Sequence, residues 1–165
     1  MTATDHCRAF DERLRAWVLH EGGLREWLRE QEGLEPCISA GLRSTREAGD
    51  WPAFERYVIA ALYVPSRTYT ATLCEVLDER REDVNNEDIV DALNEGQDRF
   101  AVPSLRRAVR WIPDADEDGQ LARKAVWALN RIGTPEAYEA IRDEVTPDLP
   151  FKVVEAAEHV LLGRE

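Results

Sequence analysis

Apolar residues recur along the chain at three- and four-residue spacings, the period that sets them on one face of an α-helix. The pattern is fullest in Leu121–Val145. There Leu121, Ala122, Ala125, Val126, Ala128, Leu129 and Ile132 make one stripe, with Asn130 and Arg131 off it. Gly133 reads as a C-terminal cap, because glycine enters the left-handed conformation without a steric penalty. Thr134 can cap a second helix, and Pro135 suits its first position, where an N–H is not needed. Ala137, Tyr138, Ile141 and Val145 continue as the buried stripe of that helix.

An earlier stretch repeats this hairpin. A shift of thirty-six residues lays Ala125 on Ile89, Val126 on Val90, and Ala128-Leu129-Asn130 on Ala92-Leu93-Asn94. Ala137, Ile141 and Val145 fall on Ala101, Leu105 and Val109. A looser copy has Val58, Ile59, Ala61 and Leu62, then Leu73 and Leu77. A period two helices long is the signature of a stacked α-solenoid. Asn85-Asn86-Glu87-Asp88 predicts a helix start: amide caps followed by carboxylates at the positive end of the dipole. Gly96 ends that helix, Asp98 caps the next, and Pro103 should distort its start. The last helix opens at Leu149-Pro150 and turns Val153, Val154, Ala157, Val160 and Leu161 inward.

The segments RKAVWALNRIGTPEAYEAI and DRFAVPSLRRAV resemble the HEAT-like repeats of phycocyanobilin-lyase type. In those an Ala-Leu-x-x-Ile-Gly helix end precedes a Pro-led second helix. The resemblance spans roughly Phe54–Leu162 and implies an all-α fold, a right-handed α-solenoid of stacked HEAT-like helical hairpins. The 165 residues fit a single domain. Within it, 50–165 would hold the repeats and 1–49 capping helices or a degenerate first repeat. There, Phe10, Leu14, Trp17 and Val18 predict a helix stopped by Gly22-Gly23. Leu24, Trp27 and Leu28 predict a second, and Pro36, Ile38 and Leu42 a third running out at Gly49.

Charge narrows the function. The formal net charge is −12, from 33 acidic and 21 basic residues. Such a surface repels phosphate, which argues against a nucleic-acid partner, and it would steer a basic protein. No apolar run reaches eighteen residues, so no membrane partner is expected. The start of the chain has no apolar leader, and Cys7, Cys37 and Cys74 are odd in number and far apart without a Cys-x-x-Cys. They read as reduced core residues of a cytoplasmic protein.

The sharpest chemical motif is Asp114, Asp116 and Asp118 followed by Gly119, which copies the opening of a calcium loop. Its ninth and twelfth positions are Ala122 and Ala125, so late donors are missing. The carboxylates read instead as an acidic lead-in to a helix N-terminus. His20-Glu21 is similar to one dyad of HEAT-fold di-iron hydroxylases, but only His6 and His159 accompany it. Trp51, Trp111 and Trp127 could suit a HEAT-fold DNA glycosylase, against which the acidic balance argues. No catalytic residue, metal or cofactor is therefore assigned.

The chain is expected to be a non-catalytic protein–protein interaction module. DVNNEDIVDAL and RKAVWALNRIG are similar to segments of small bacterial adaptor and immunity-type proteins, which implies an inhibitor of a basic protein as its most concrete form. The alternatives are a lyase-like enzyme or cofactor-handling accessory, and a structural subunit joined through the N-terminal helices. Second helices of repeats line the concave face of a solenoid. That makes Arg106, Arg107, Arg110, Glu139, Arg142 and Asp143 the candidate contacts. Stacking one repeat on the next also predicts charge ladders pairing Glu87 with Arg123, Asp88 with Lys124, and Glu95 with Arg131. On the second helices the matching positions are Glu75, Arg107 and Asp143.

Overall fold

A computed structural model describes residues 3–17 and 23–163. Val18, the His20-Glu21 pair and Gly22 lie outside the described residues. Among the described residues the chain is all-helical, with no strand. Its helices are α1 (Ala3–Ala16), α2 (Leu24–Glu30), α3 (Glu35–Ala48), α4 (Trp51–Tyr63), α5 (Thr70–Glu79), α6 (Asn86–Gly96), α7 (Val102–Val109), α8 (Gln120–Ile132), α9 (Pro135–Glu144) and α10 (Phe151–Leu162).

Alternate helices are neighbours. Helices α4, α6, α8 and α10 pack in succession, and so do α5, α7 and α9. Contacts such as α3 with α4, and α7 with α8, join one row to the other. The apolar stripes lie along these contacts: Ile89, Val90, Ala125, Val126, Ala128, Leu129, Leu105 and Ile141 are all fully buried. Ile132, Val145, Val154 and Leu161, expected inside, are half-buried at its margin.

Local signals act largely as their chemistry dictates. Gly133 takes a φ of 71° and its N–H donates to the Leu129 carbonyl. The Thr134 hydroxyl accepts from the Ala137 N–H at 3.2 Å, and the Asn85 carboxamide accepts from Asp88 N–H at 3.3 Å. Pro103 takes a place in the first turn of α7, where a helix accepts it. Residues Arg99–Ala101 form a single 3-10 turn, which the Asp98 carboxylate caps at Phe100 N–H, before α7 begins.

Two glycines act by closeness. Gly96 does not terminate α6; Gln97 takes the left-handed conformation instead, at φ 48°. At Gly96 an added Cβ would sit 3.4 Å from the Ser66 carbonyl oxygen, so the turn after α4 runs directly over it. Gly41 on α3 lies against the Tyr57 ring of α4, which a Cβ there would overlap.

The cysteines depart from expectation. Cys7 and Cys37 form a disulfide, with Cα atoms 5.0 Å apart across a sequence separation of 30. Only Cys74 is free, and it is buried. The odd count and wide spacing concealed the pair because α1 folds back along α3, a proximity that no local spacing encodes. A bridge closing a loop of this size contributes on the order of 3–4 kcal/mol by restricting the unfolded chain.

Gly41→Ala should destabilise the protein by about 1–3 kcal/mol through overpacking against Tyr57. Gly96→Ala, at van der Waals distance from Ser66, should cost well under about 1 kcal/mol. Urea unfolding of the two variants beside the parent checks both.

Candidate interaction surface

The six residues proposed as partner contacts fall on α7 and α9 or at the C-terminal end of α7. Four of them are occupied within the fold. Arg106 reaches across to α9, placing Nε 2.6 Å from Glu144 Oε1 and Nη2 3.1 Å from Asp143 Oδ2. Arg107 turns the opposite way and grips Asp78 of α5 with two parallel bonds, of 2.9 and 2.6 Å. Its Nη2 also donates to the Ser104 hydroxyl, which in turn donates to Asp78. Arg110 donates to the Thr146 hydroxyl at 2.5 Å and lies 3.5 Å from Asp148. Glu139 and Arg142 alone of the six are exposed without a hydrogen bond or ion pair to the described residues.

The other row is stitched in the same manner. Lys124 of α8 sits 3.1 Å from Glu87 and 2.6 Å from Asp91 of α6. Arg131 meets Glu95 at 2.6 Å, one of the ladder pairs expected at the thirty-six-residue offset. Arg123 instead binds Gln120 of its own helix, and Asp88 accepts from the Asn85 side chain. On the second helices Asp143 goes to Arg106, and Arg46 of α3 bridges to Glu75 and Glu79 of α5. Arg46, Arg106, Arg107, Lys124 and Arg131 thus link neighbouring helices.

Two carboxylates feel opposite environments. Desolvation alone would raise the Asp78 carboxyl, but the hydrogen bonds and charge of Arg107, with the Ser104 hydroxyl, outweigh it and hold it below the usual range. The Asp88 carboxyl is pushed up, first by desolvation and then by Asp91, Glu55 and Glu87, which Lys124 only partly offsets.

The acidic loop before α8 is used structurally. Asp116 accepts from the Gln120 N–H at 2.7 Å and the Leu121 N–H at 3.0 Å, capping the helix with both oxygens. Asp118 pairs with Lys152 of α10 at 2.6 Å. Two of the three carboxylates of the calcium-like motif therefore already have partners.

The tryptophans are half-buried or edge positions. Trp51 stacks under Arg81, with the guanidinium carbon 4.0 Å from the ring centroid, and Trp111 lies under Arg80. Trp127 is 39% exposed and tilted against the imidazole of His159. His6 is half-buried, its Nε2 without a hydrogen bond among the described residues.

One feature escaped the sequence reading. The loops that precede α6 and α8 frame a cleft of about 620 Å³, lined by Arg81, Asn86, Trp111, Asp114 and Asp116 among others. Asn86 is nine-tenths buried and closes the first loop by donating to the carbonyls of Arg81 and Val84. Nothing in residue spacing joins two loops thirty residues apart. No family model matches the chain, and no curated protein is significantly similar to it.

The two carboxylates make opposite predictions. Asp78, with a lowered folded pKa, stabilises above the ordinary carboxylate range, and that contribution is lost as pH falls through its folded value. Asp88, with a raised folded pKa, loses its favourable contribution as pH rises through that value. Asp78→Asn should therefore weaken the protein at pH 7 and flatten its acid limb. Asp88→Asn should be neutral or stabilising at pH 7 by roughly 0.5 kcal/mol, the scale of a surface change. Urea midpoints from pH 7 to pH 3 would show either pattern.

Proposed function

We propose that this chain is a non-catalytic interaction module, a right-handed solenoid of HEAT-like hairpins that binds a basic protein as an adaptor or an immunity-type inhibitor. The succession of α4, α6, α8 and α10 beside α5, α7 and α9 supports the stacked-hairpin architecture, as does the thirty-six-residue offset that carries α6 onto α8. The observation that carries the binding reading is the fate of the charges. Arg46, Arg106, Arg107, Lys124 and Arg131 each bridge to carboxylates on a neighbouring helix. With 33 acidic residues against 21 basic ones, the chain carries a formal net charge of −12. Such a surface accelerates and orients encounter with a positively charged protein.

The contact set follows from this. Arg106, Arg107, Arg110 and Asp143 hold helices together and supply shape. Glu139, with the exposed Glu136 one turn before it, is free to meet a cation from outside. Arg142 lies on the same helix and would favour partners that also offer a carboxylate. Location in the cytoplasm belongs to the same reading, and there a disulfide is exposed to reducing thiols. Among the described residues no helix is long and apolar enough to cross a membrane.

Co-purification with a basic protein encoded beside this one, followed by calorimetry, tests the proposal. Affinity should fall at least roughly tenfold between about 0.05 and about 0.3 M salt. The change Glu139→Lys, at an exposed position with no ion pair, should weaken it further with little effect on thermal unfolding. Binding that ignores both salt and charge reversal would refute it.

A further inference from the structure

We infer that the Cys7–Cys37 bridge is a thiol–disulfide exchange site whose state decides whether α1 stays docked on α3 and α4. The two sulfurs are unequal. Cys37 is 3% exposed, inside the apolar packing of α3, whereas Cys7 is only half-buried on α1. Of the two half-cystines, Cys7 is therefore the one nearer solvent and the one we assign as the point of attack.

The helix that carries Cys7 has little else to hold it. Of its fourteen residues, Phe10 and Leu14 are the two described as fully buried. Helix α8, of thirteen residues, buries six. Phe10 lies parallel to Trp27 at 6.1 Å and tilted against Tyr57, and Asp11 accepts a 2.6 Å hydrogen bond from the Tyr57 hydroxyl. Those contacts form one small patch. Arg13 adds a guanidinium 5.9 Å from the Trp27 ring centroid, and Leu14 is buried. An isolated helix of this length is marginal in water, so the bridge is the one covalent tie that keeps α1 folded and in place.

Exchange with a dithiol reductant balances as follows. One thiolate of the reductant attacks Cys7 Sγ, the Cys7–Cys37 bond breaks, and Cys37 leaves as a thiolate that takes a proton from water. The second thiol of the reductant, as thiolate, then attacks its own sulfur in the mixed disulfide. That closes the reductant's disulfide and frees Cys7, which is protonated in turn. Two electrons and two protons pass to the protein, and the reductant is oxidised. Cys74 stays out of the exchange. It is 8% exposed, and burial pushes its thiol up to about 11, so it supplies almost no thiolate.

Undocking α1 would bare the Tyr57 ring and the outer faces of α3 and α4, the N-terminal end of the helix rows. The cap is thus closed where thiols are oxidised and open where they are reduced. The inference does not depend on the basic partner proposed above.

Amide hydrogen exchange and thiol titration on the whole chain test it. Protein oxidised by oxidised glutathione should show no rapidly reacting thiol in its native state. After treatment with dithiothreitol and its removal under nitrogen, it should show two. Exchange in α1 should quicken at least tenfold on reduction, with α5–α10 unchanged. Cys7→Ser should reproduce the reduced pattern without any reductant, and oxidised Cys74→Ser should match the oxidised parent. Equal exchange of α1 in both states would overturn the inference. So would two reactive thiols persisting after glutathione oxidation, or a quickening that spreads equally through α5–α10.

Discussion

Helices α4, α6, α8 and α10 bury their apolar stripes against one another in succession, and α7 buries its own between α5, α8 and α9. The contact between α6 and α8 shows why this works. Ile89, Val90 and Leu93 meet a stripe in which Ala122, Ala125 and Ala128 alternate with Val126 and Leu129, all of them buried. Small residues let the backbones approach, and the larger ones fill the grooves between them. The spacing of the rows, the reach of the ion pairs and the placing of the turns all follow from that approach.

The ion pairs act within this frame. Exposed pairs of this kind contribute about 0–1 kcal/mol each, far less than a buried leucine. Their effect lies in direction. An arginine on α7 can reach α5 or α9, and Arg106 and Arg107 do one each, so α7 is held from both sides. The same geometry bears on recognition, because a cation already engaged by two carboxylates has little left for a partner.

How much was legible depended on distance in sequence. Gly133, Thr134 and Asn85 act within four residues of themselves, and their roles could be read directly. The Glu95–Arg131 pair was also accessible, since the two residues lie thirty-six positions apart on α6 and α8, which pack together. The neighbouring rungs slipped. Lys124 chose Glu87 and Asp91, which flank the aligned Asp88, because long side chains lean along a helix and can select either neighbour on its face. Gly96 looked like a helix stop, yet it is the last residue of α6 and the left-handed turn falls on Gln97. The Cys7–Cys37 bridge and the cleft beneath Trp111 join segments thirty residues apart through the fold itself, which periodicity does not report.

The pairing of Arg131 with Glu95 has a consequence for descent. Either member changed alone leaves two like charges, or one idle charge, at a point where adjacent hairpins meet. Tolerated change at these places should arrive as a compensated swap of sign, thirty-six residues apart. A lineage of such chains would carry the record of its own stacking in correlated reversals, even after the residues between had drifted beyond resemblance.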